Sequence, residues 1–94
     1  MSTPLEELEF LTRSSNRVAV LDALTEAPQN RDRLQERTGV SRVTLHRILT
    51  DVETMDWVVR DGRTYRATRL GTLVTEEFGE LHRLLRTVDD LQRS

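Results

Sequence analysis

The chain has 94 residues, contains no cysteine and carries a formal net charge of −2 at pH 7. Its length allows one small domain with a single core and leaves no room for a large buried active-site cleft. Without cysteine there is no disulfide framework or thiolate metal site, and without a bilayer-spanning apolar run or a signal peptide we expect a soluble, cytoplasmic protein that does not contact membranes.

The first predicted element is a helix of residues 4–12. Thr3 is a good N-cap, Pro4 suits the first helical position because a proline lacks the N–H that would stay unpaired there, and Glu6 stands at the third position. We expect this extra helix to end before the main domain begins.

Two further helices precede the centre of the chain. The second spans about residues 16–26 and ends before Pro28, with apolar residues at helical spacing at Val18, Leu21 and Leu24. The third is short: Asn30 is its predicted N-cap, Leu34 faces inward, and Gly39 ends it because glycine tolerates the left-handed conformation.

The fourth predicted helix, residues 41–55, has apolar residues along one side that identify its core face. Ser41 is its N-cap, and the apolar stripe consists of Leu45, Ile48, Leu49 and Val52. The opposite side and the first turn are therefore exposed, and they carry Arg42, Val43, Thr44, His46 and Arg47.

A β-hairpin follows, with strands of about residues 57–60 and 63–67. A two-residue Asp-Gly loop at 61–62 between β-prone segments is a strong hairpin signal. We expect Trp57 and Tyr65 to pack the hairpin onto the core, and prefer this to a base-stacking platform.

The last segment predicts a long helix capped by Thr68. Its apolar residues follow a heptad register at Leu70, Val74, Leu81, Leu84, Val88 and Leu91, widened by Leu73, Phe78 and Leu85 and interrupted only by Glu77. A small core cannot cover about 24 residues, or roughly 36 Å, of helix. We therefore expect a homodimer through this stripe. The alternative is that the first helix, with Leu5, Leu8 and Leu11, covers it within one chain.

The order of helices and hairpin resembles the winged helix-turn-helix domain of bacterial and archaeal transcription regulators. The resemblance lies in RLQERTGVSRVTLHRIL (residues 33–49) and WVVRDGRTYRATRLG (residues 57–71), and it is greatest to small IclR, ArsR and MarR type regulators of halophilic archaea. In that pattern Gly39 lies at the turn between the two helices, and the core positions are occupied by Leu34, Val40, Leu45 and Ile48. Gln35 departs from the pattern, which prefers Ala there.

The predicted fold class is therefore mainly α with a small β-hairpin: a winged helix-turn-helix with an N-terminal extra helix and a long C-terminal helix. The predicted division is an N-terminal helix (1–15), a DNA-binding domain (16–68) with its recognition helix at 41–55 and its wing at 57–67, and a dimerisation helix (69–94).

Double-stranded DNA is the expected partner. An exposed helix N-terminus fits the major groove, where Arg reaches guanine and Thr a base edge. The predicted contact residues on the helix are Ser41, Arg42, Val43, Thr44, His46 and Arg47, and those on the wing are Arg60, Arg63 and Arg66. We expect the wing to contact the DNA backbone or the minor groove.

The distribution of positive charge is compatible with this partner. All fourteen basic residues are arginines, and several lie close together in the middle of the chain, so the local charge there can be positive although the net charge is not. The alternative is that these arginines are surface charges partnered by Asp32, Glu36, Asp51 and Asp61.

Other chemistry has little support in the sequence. The histidines, His46 and His82, have no neighbouring residues in a spacing typical of a catalytic site, so we expect no enzyme activity. His82 with Glu77 or Glu80 is a conceivable metal site, but a solvated helix face is the better interpretation, and we expect no metal or cofactor.

The sequence thus predicts a dimeric, sequence-specific DNA-binding regulator. Two alternatives stay open. One is a winged-helix module that binds protein instead of DNA, and the other is the N-terminal DNA-binding part of a longer ligand-responsive regulator.

Overall fold

The computed structural model describes residues 15–93. The elements in chain order are α1 (Ser15–Glu26), β1 (Gln29–Asn30), α2 (Arg31–Thr38), α3 (Arg42–Thr54), β2 (Val58–Asp61), β3 (Thr64–Ala67) and α4 (Arg69–Arg93). The predicted class, mainly helical with a small antiparallel sheet and a long C-terminal helix, is confirmed. The helix predicted for residues 4–12 lies outside the described residues.

One hydrophobic core joins the four described helices and the sheet. The predicted helix-turn-helix core residues are all buried: Leu34, Val40, Leu45 and Ile48. Trp57 and Tyr65 are each only 1% exposed, so the prediction that they pack the hairpin onto the core is confirmed. The remaining core side chains come mainly from one face of α1 and from the stripe of α3.

Local caps set the ends of α2 and α3. The Asn30 side chain accepts a hydrogen bond from the Arg33 N–H at 2.8 Å and begins α2. Gly39 has a φ of 70°, and its N–H donates to the Gln35 carbonyl at 2.9 Å, which ends the helix. Ser41 then caps α3. The caps predicted for Asn30, Gly39 and Ser41 are thus confirmed.

The sheet has three strands in the order β1-β3-β2, and β1 was not predicted from the sequence. Gln29 pairs with Tyr65 and Asn30 with Thr64, both on β3. The Gln29 amide also donates to the Ala23 carbonyl at 2.6 Å, near the end of α1. β1 consists of only two residues directly after Pro28 and is too short to show an alternating apolar pattern. The local sequence therefore does not predict a strand there.

The hairpin loop differs by one residue from the prediction. Asp61 belongs to β2 and pairs with Thr64, so the loop consists of Gly62 and Arg63 and not of Asp61 and Gly62. Gly62 has a φ of 64°. Positive φ at the first loop residue is the feature of a type II′ turn, for which glycine is the preferred residue at that position.

The end of α3 is a Schellman motif. Asp56 has a φ of 62°, the only positive φ of a non-glycine residue in the described part of the chain. Its N–H donates to the Glu53 carbonyl at 3.0 Å, and the Trp57 N–H donates to the Val52 carbonyl at 3.0 Å. The motif turns the chain from α3 directly into β2, with the Trp57 and Val52 side chains both in the core.

The start of α4 is fixed to the same turn. The Thr68 N–H donates to the Trp57 carbonyl at 2.9 Å. The Thr68 hydroxyl donates to the Asp56 carbonyl at 2.7 Å and accepts from the Gly71 N–H at 3.0 Å, which confirms Thr68 as the N-cap. A Cβ on Gly71 would lie 2.0 Å from the Trp57 oxygen. Only glycine permits this approach of α4.

The left-handed conformation of Asp56 leads to a prediction about stability. Asp56→Gly removes the Cβ strain and keeps both backbone hydrogen bonds, so we expect it to stabilise the fold by about 0.5–1 kcal/mol and to raise Tm by about 2–6 °C. Gly39→Ala places a Cβ in the same conformation and should have the opposite effect. Thermal unfolding followed by circular dichroism measures both, and a lower Tm for Asp56→Gly would contradict the prediction.

Candidate nucleic-acid interface

The side of α3 that is predicted to contact DNA bases is exposed. Arg42, Val43, His46 and Arg47 all lie on the surface, and Thr44 is half-buried. Val43 is 72% exposed. The reason is the helical period: the residues at Leu45, Ile48 and Leu49 occupy the core side, so their neighbours point away from it.

Ser41 and Thr44 contact each other at the start of α3. The Ser41 hydroxyl accepts from the Thr44 N–H at 3.3 Å and donates to the Thr44 hydroxyl at 2.9 Å. The hydrogen of the Ser41 hydroxyl therefore takes part in a hydrogen bond within the first turn of α3. The hydrogen of the Thr44 hydroxyl is not, and it can donate to an acceptor outside the protein.

A groove of about 450 Å³ lies between α2 and α3. Its walls are formed by Arg31, Asp32, Gln35, Arg42, Val43, Leu45 and His46. The groove thus joins three of the predicted α3 contact residues to the first turn of α2, which the sequence analysis did not include in the site.

The three wing arginines do not share one face. Arg60 pairs across the hairpin with Tyr65, whereas Arg66 pairs with Val59. Since successive side chains of a strand point to opposite faces, Arg60 and Arg66 lie on opposite sides of the sheet. The structure brings Arg60 together with Arg63, and it separates both from Arg66.

Arg31 is a basic residue of this surface that the sequence analysis missed. Its Nε and Nη2 atoms donate to the Tyr65 hydroxyl at 3.0 Å and 2.9 Å. Arg60 lies over the same ring, 5.9 Å from its centroid. Arg31 and Tyr65 are 34 residues apart, so no local pattern connects them; the only sequence signal is an arginine directly after the Asn30 cap.

The arginines predicted to contact DNA, and Arg31, do not form ion pairs. Within residues 15–93, none of the following has a carboxylate partner: Arg31, Arg42, Arg47, Arg60, Arg63 and Arg66. Asp51, one of the carboxylates that the alternative interpretation assigned to them, approaches Arg17 of α1 at 4.0 Å instead. The arginines beside α3, together with Arg60 and Arg63 of the wing, therefore carry charges that no described ion pair neutralises.

The apolar side of α4 divides into two parts. Gly71 and Thr75 are buried, and Val74 and Phe78 pack against the core. Leu81 is half-buried, and the exposed members of the predicted interface are Leu70, Leu84, Val88 and Leu91, at 49%, 59%, 41% and 70%. At about 100° per residue, the exposed stripe is centred roughly 145° around the helix axis from Gly71 and Thr75. Val74 thus contributes to the chain's own core, and the other predicted interface residues do not.

His82 lies within this helix and contacts an aromatic ring. Its imidazole stacks on Phe78, with ring centroids 6.2 Å apart. Across the described residues, no group of three or more His, Asp or Glu side chains is arranged to hold a metal ion. Nor does any helix in that part of the chain have the length and apolar character needed to span a bilayer.

The fold is similar to that of two solved proteins. Quinone-bound YodB from B. subtilis aligns with a TM-score of 0.79 and 20% identity, over 93% of this chain and 99% of YodB. Ligand-free NadR aligns with a TM-score of 0.70 and 21% identity, over 95% of this chain and 71% of NadR. NadR in complex with 4-hydroxyphenylacetate aligns with a TM-score of 0.68 and 22% identity, over 84% and 63%. These likenesses confirm the winged-helix fold.

No curated protein matches the chain in sequence. One protein family does: residues 5–92 match the family described as HVO_A0261 N-terminal domain. Because this match extends over nearly the whole chain, the protein belongs to the HVO_A0261 N-terminal domain family.

Proposed function

We propose that the protein is a sequence-specific, double-stranded DNA-binding transcriptional regulator that acts as a homodimer in the cytoplasm. In this proposal α3 and its cap, residues 41–55, enter the major groove, and the wing, residues 57–67, contacts the adjacent backbone or minor groove. The finer placement among IclR, ArsR and MarR type regulators of archaea belongs to the same proposal.

The observation that carries the proposal is the set of unpaired arginines on one surface of a winged-helix fold. A chain of net charge −2 has enough carboxylates to neutralise its arginines, yet those beside α3, together with Arg60 and Arg63 of the wing, have no ion-pair partner among the described residues. Unpaired guanidinium groups are suited to phosphates and to the O6 and N7 atoms of guanine.

The exposed side of α3 offers several kinds of base contact. Arg42 and Arg47 are long enough for bidentate contacts to guanine, and Val43 is an apolar surface for a thymine methyl group. The Thr44 hydroxyl donates a hydrogen bond, and His46 provides a further polar contact. A mixture of contact types favours sequence-specific binding over purely electrostatic binding.

The homodimer is supported by the exposed stripe of α4. Leu84, Val88 and Leu91 lie on the distal half of a 25-residue helix, beyond its contacts with the core. Apolar residues in a heptad register that the chain's own core leaves exposed are typical of a helix that pairs with a second copy. Two copies related by a two-fold axis would read half-sites about one helical turn apart.

The two alternatives raised by the sequence share this fold. A protein-interaction module would not require unpaired arginines on the exposed side of α3, and it is separated from our proposal by the salt titration below. The N-terminal DNA-binding part of a longer ligand-responsive regulator would use the same DNA surface, so the experiments on DNA apply to it unchanged.

The first prediction concerns the reading helix. A cognate duplex is first selected from random DNA, and binding is then measured by fluorescence anisotropy. Arg42→Ala or Arg47→Ala should cost about 1–3 kcal/mol on the cognate duplex and much less on random duplex, because a lost bidentate guanine contact affects only the specific complex. Arg86→Ala removes the same charge from the exposed part of α4 and is the matched control. Unchanged cognate preference in both α3 variants would contradict the assignment of α3.

The second prediction concerns salt. If about six arginines per dimer neutralise phosphates, log K falls with log salt concentration at a slope near −5, despite the negative net charge of the protein. Anisotropy titrations over a range of salt concentrations measure the slope. A flat dependence, or no duplex binding at low salt, would favour the protein-interaction module.

The third prediction concerns assembly. Leu84→Glu places a charge in the exposed apolar stripe and should give a monomer that keeps most of its helix content. Arg86→Glu places a glutamate on the opposite side of α4 and should stay dimeric. Sedimentation velocity at tens of micromolar distinguishes these outcomes, and a wild-type monomer under those conditions would refute the dimer.

A further inference from the structure

Three arginines converge on a small cleft beside the wing. The cleft has a volume of about 210 Å³ and is formed by Asn30, Arg31, Asp32, Arg60, Arg63 and Tyr65. Arg31 comes from the start of α2, Arg60 from β2 and Arg63 from the hairpin loop. The cleft therefore exists only in the folded chain.

We propose that this cleft binds one phosphate group of the DNA backbone, with Arg31 as its central ligand and Tyr65 as the residue that positions Arg31. This inference rests on the proposed DNA-binding function and adds to it a particular site, a ligand group and a positioning residue.

The charge of the cleft supports an anionic ligand. None of its three guanidinium groups has an ion-pair partner in the described part of the chain, and Asp32 is the only carboxylate that lines it. Like charges held close together repel one another, so the arrangement gains stability when an anion lies between them. The planar donors of arginine match the oxygens of a phosphate group.

The contact between Arg31 and Tyr65 fixes the direction of the guanidinium group. Its Nε and Nη2 atoms both donate to the Tyr65 hydroxyl, at 3.0 Å and 2.9 Å, and its central carbon lies 5.6 Å from the ring centroid. The Tyr65 side chain is 1% exposed, so the core determines where its hydroxyl lies. A guanidinium group oriented before binding loses less conformational entropy on contact with its ligand.

Tyrosine is well suited to this task because its hydroxyl is neutral. A carboxylate in the same place would orient Arg31 equally well, but it would also neutralise the charge that a phosphate needs. Tyr65 leaves the full positive charge on Arg31, together with the N–H groups that do not face the hydroxyl.

The position of Arg31 indicates which phosphate source fits. Arg31 lines the wing cleft and also the groove between α2 and α3 that contains Arg42 and His46. A phosphate held by Arg31 therefore lies between the reading helix and the wing. In a duplex the sugar-phosphate backbone separates the major groove from the minor groove, so a backbone phosphodiester meets this requirement. Free phosphate carries the same chemistry and is distinguished below.

The experiment uses the cognate duplex and a set of duplexes in which one linkage at a time is an uncharged methylphosphonate. Arg31→Ala should bind the unmodified duplex about tenfold more weakly, with a salt slope lower by roughly two units, because the dimer loses one phosphate contact in each half-site. At one linkage in each half-site the methylphosphonate should weaken wild-type binding about threefold, because it removes one of the two symmetric contacts, and it should leave Arg31→Ala binding unchanged because that variant already lacks both.

Tyr65→Phe tests the positioning role, since it removes a single buried oxygen and keeps the ring. It should weaken wild-type binding about threefold and have no further effect in the Arg31→Ala background, whereas a merely structural role would weaken both proteins equally. Thermal unfolding of each variant without DNA verifies that the fold is retained.

The outcomes separate this inference from the proposed function. Wild-type affinity and salt slope in Arg31→Ala, or equal methylphosphonate effects in both proteins at every linkage, would overturn the phosphate site while leaving DNA binding intact. A rise in Tm with millimolar inorganic phosphate, compared with chloride at equal ionic strength, together with unaltered DNA affinity of Arg31→Ala, would assign the cleft to free phosphate. If the wild type binds no duplex, the proposed function fails and this site fails with it.

Discussion

The architecture depends on the backbone of Trp57. Its N–H completes the end of α3 by bonding to the Val52 carbonyl, its carbonyl accepts from the Thr68 N–H ahead of α4, and its side chain is buried in the core. α4 passes so close to that carbonyl that a Cβ on Gly71 would lie 2.0 Å from it. One residue therefore fixes the directions of α3, the wing and α4. Any substitution that separates these groups would disturb all three elements together.

A second set of contacts joins the wing to α2. β1 pairs with β3, and Arg31, the first residue of α2, donates to Tyr65 in the middle of β3. α2 and α3 are joined in turn by the Gly39 turn and the Ser41 cap. The first turn of α2, the exposed side of α3 and the hairpin are thus joined by direct contacts and short turns into one surface. Its unpaired arginines define a local positive charge that the net charge of −2 conceals.

Much of the fold follows from short-range signals in the sequence. Asn30, Ser41 and Thr68 were recognisable as caps, because capping depends on side chains within three or four residues of the groups they bond. The helical period of α3 determined which residues enter the core and hence that Arg42, Val43, His46 and Arg47 are exposed. The heptad stripe of α4 was likewise predicted, although the sequence did not reveal that Val74 would pack against the chain's own core.

Within residues 15–93, the sequence by itself thus determined the four helices, the caps at Asn30, Ser41 and Thr68 and the exposed side of α3, because those features depend on neighbours within about one or two turns of helix. Only the tertiary structure decided the pairing of β1 with β3, the Gly62–Arg63 loop and the separation of Arg60 from Arg66, since strand register is set between segments and a shift of one residue reverses every side chain. It also decided the contact of Arg31 with Tyr65, whose groups lie 34 residues apart. Such contacts form only when the core places distant segments side by side, and no local period or cap encodes them.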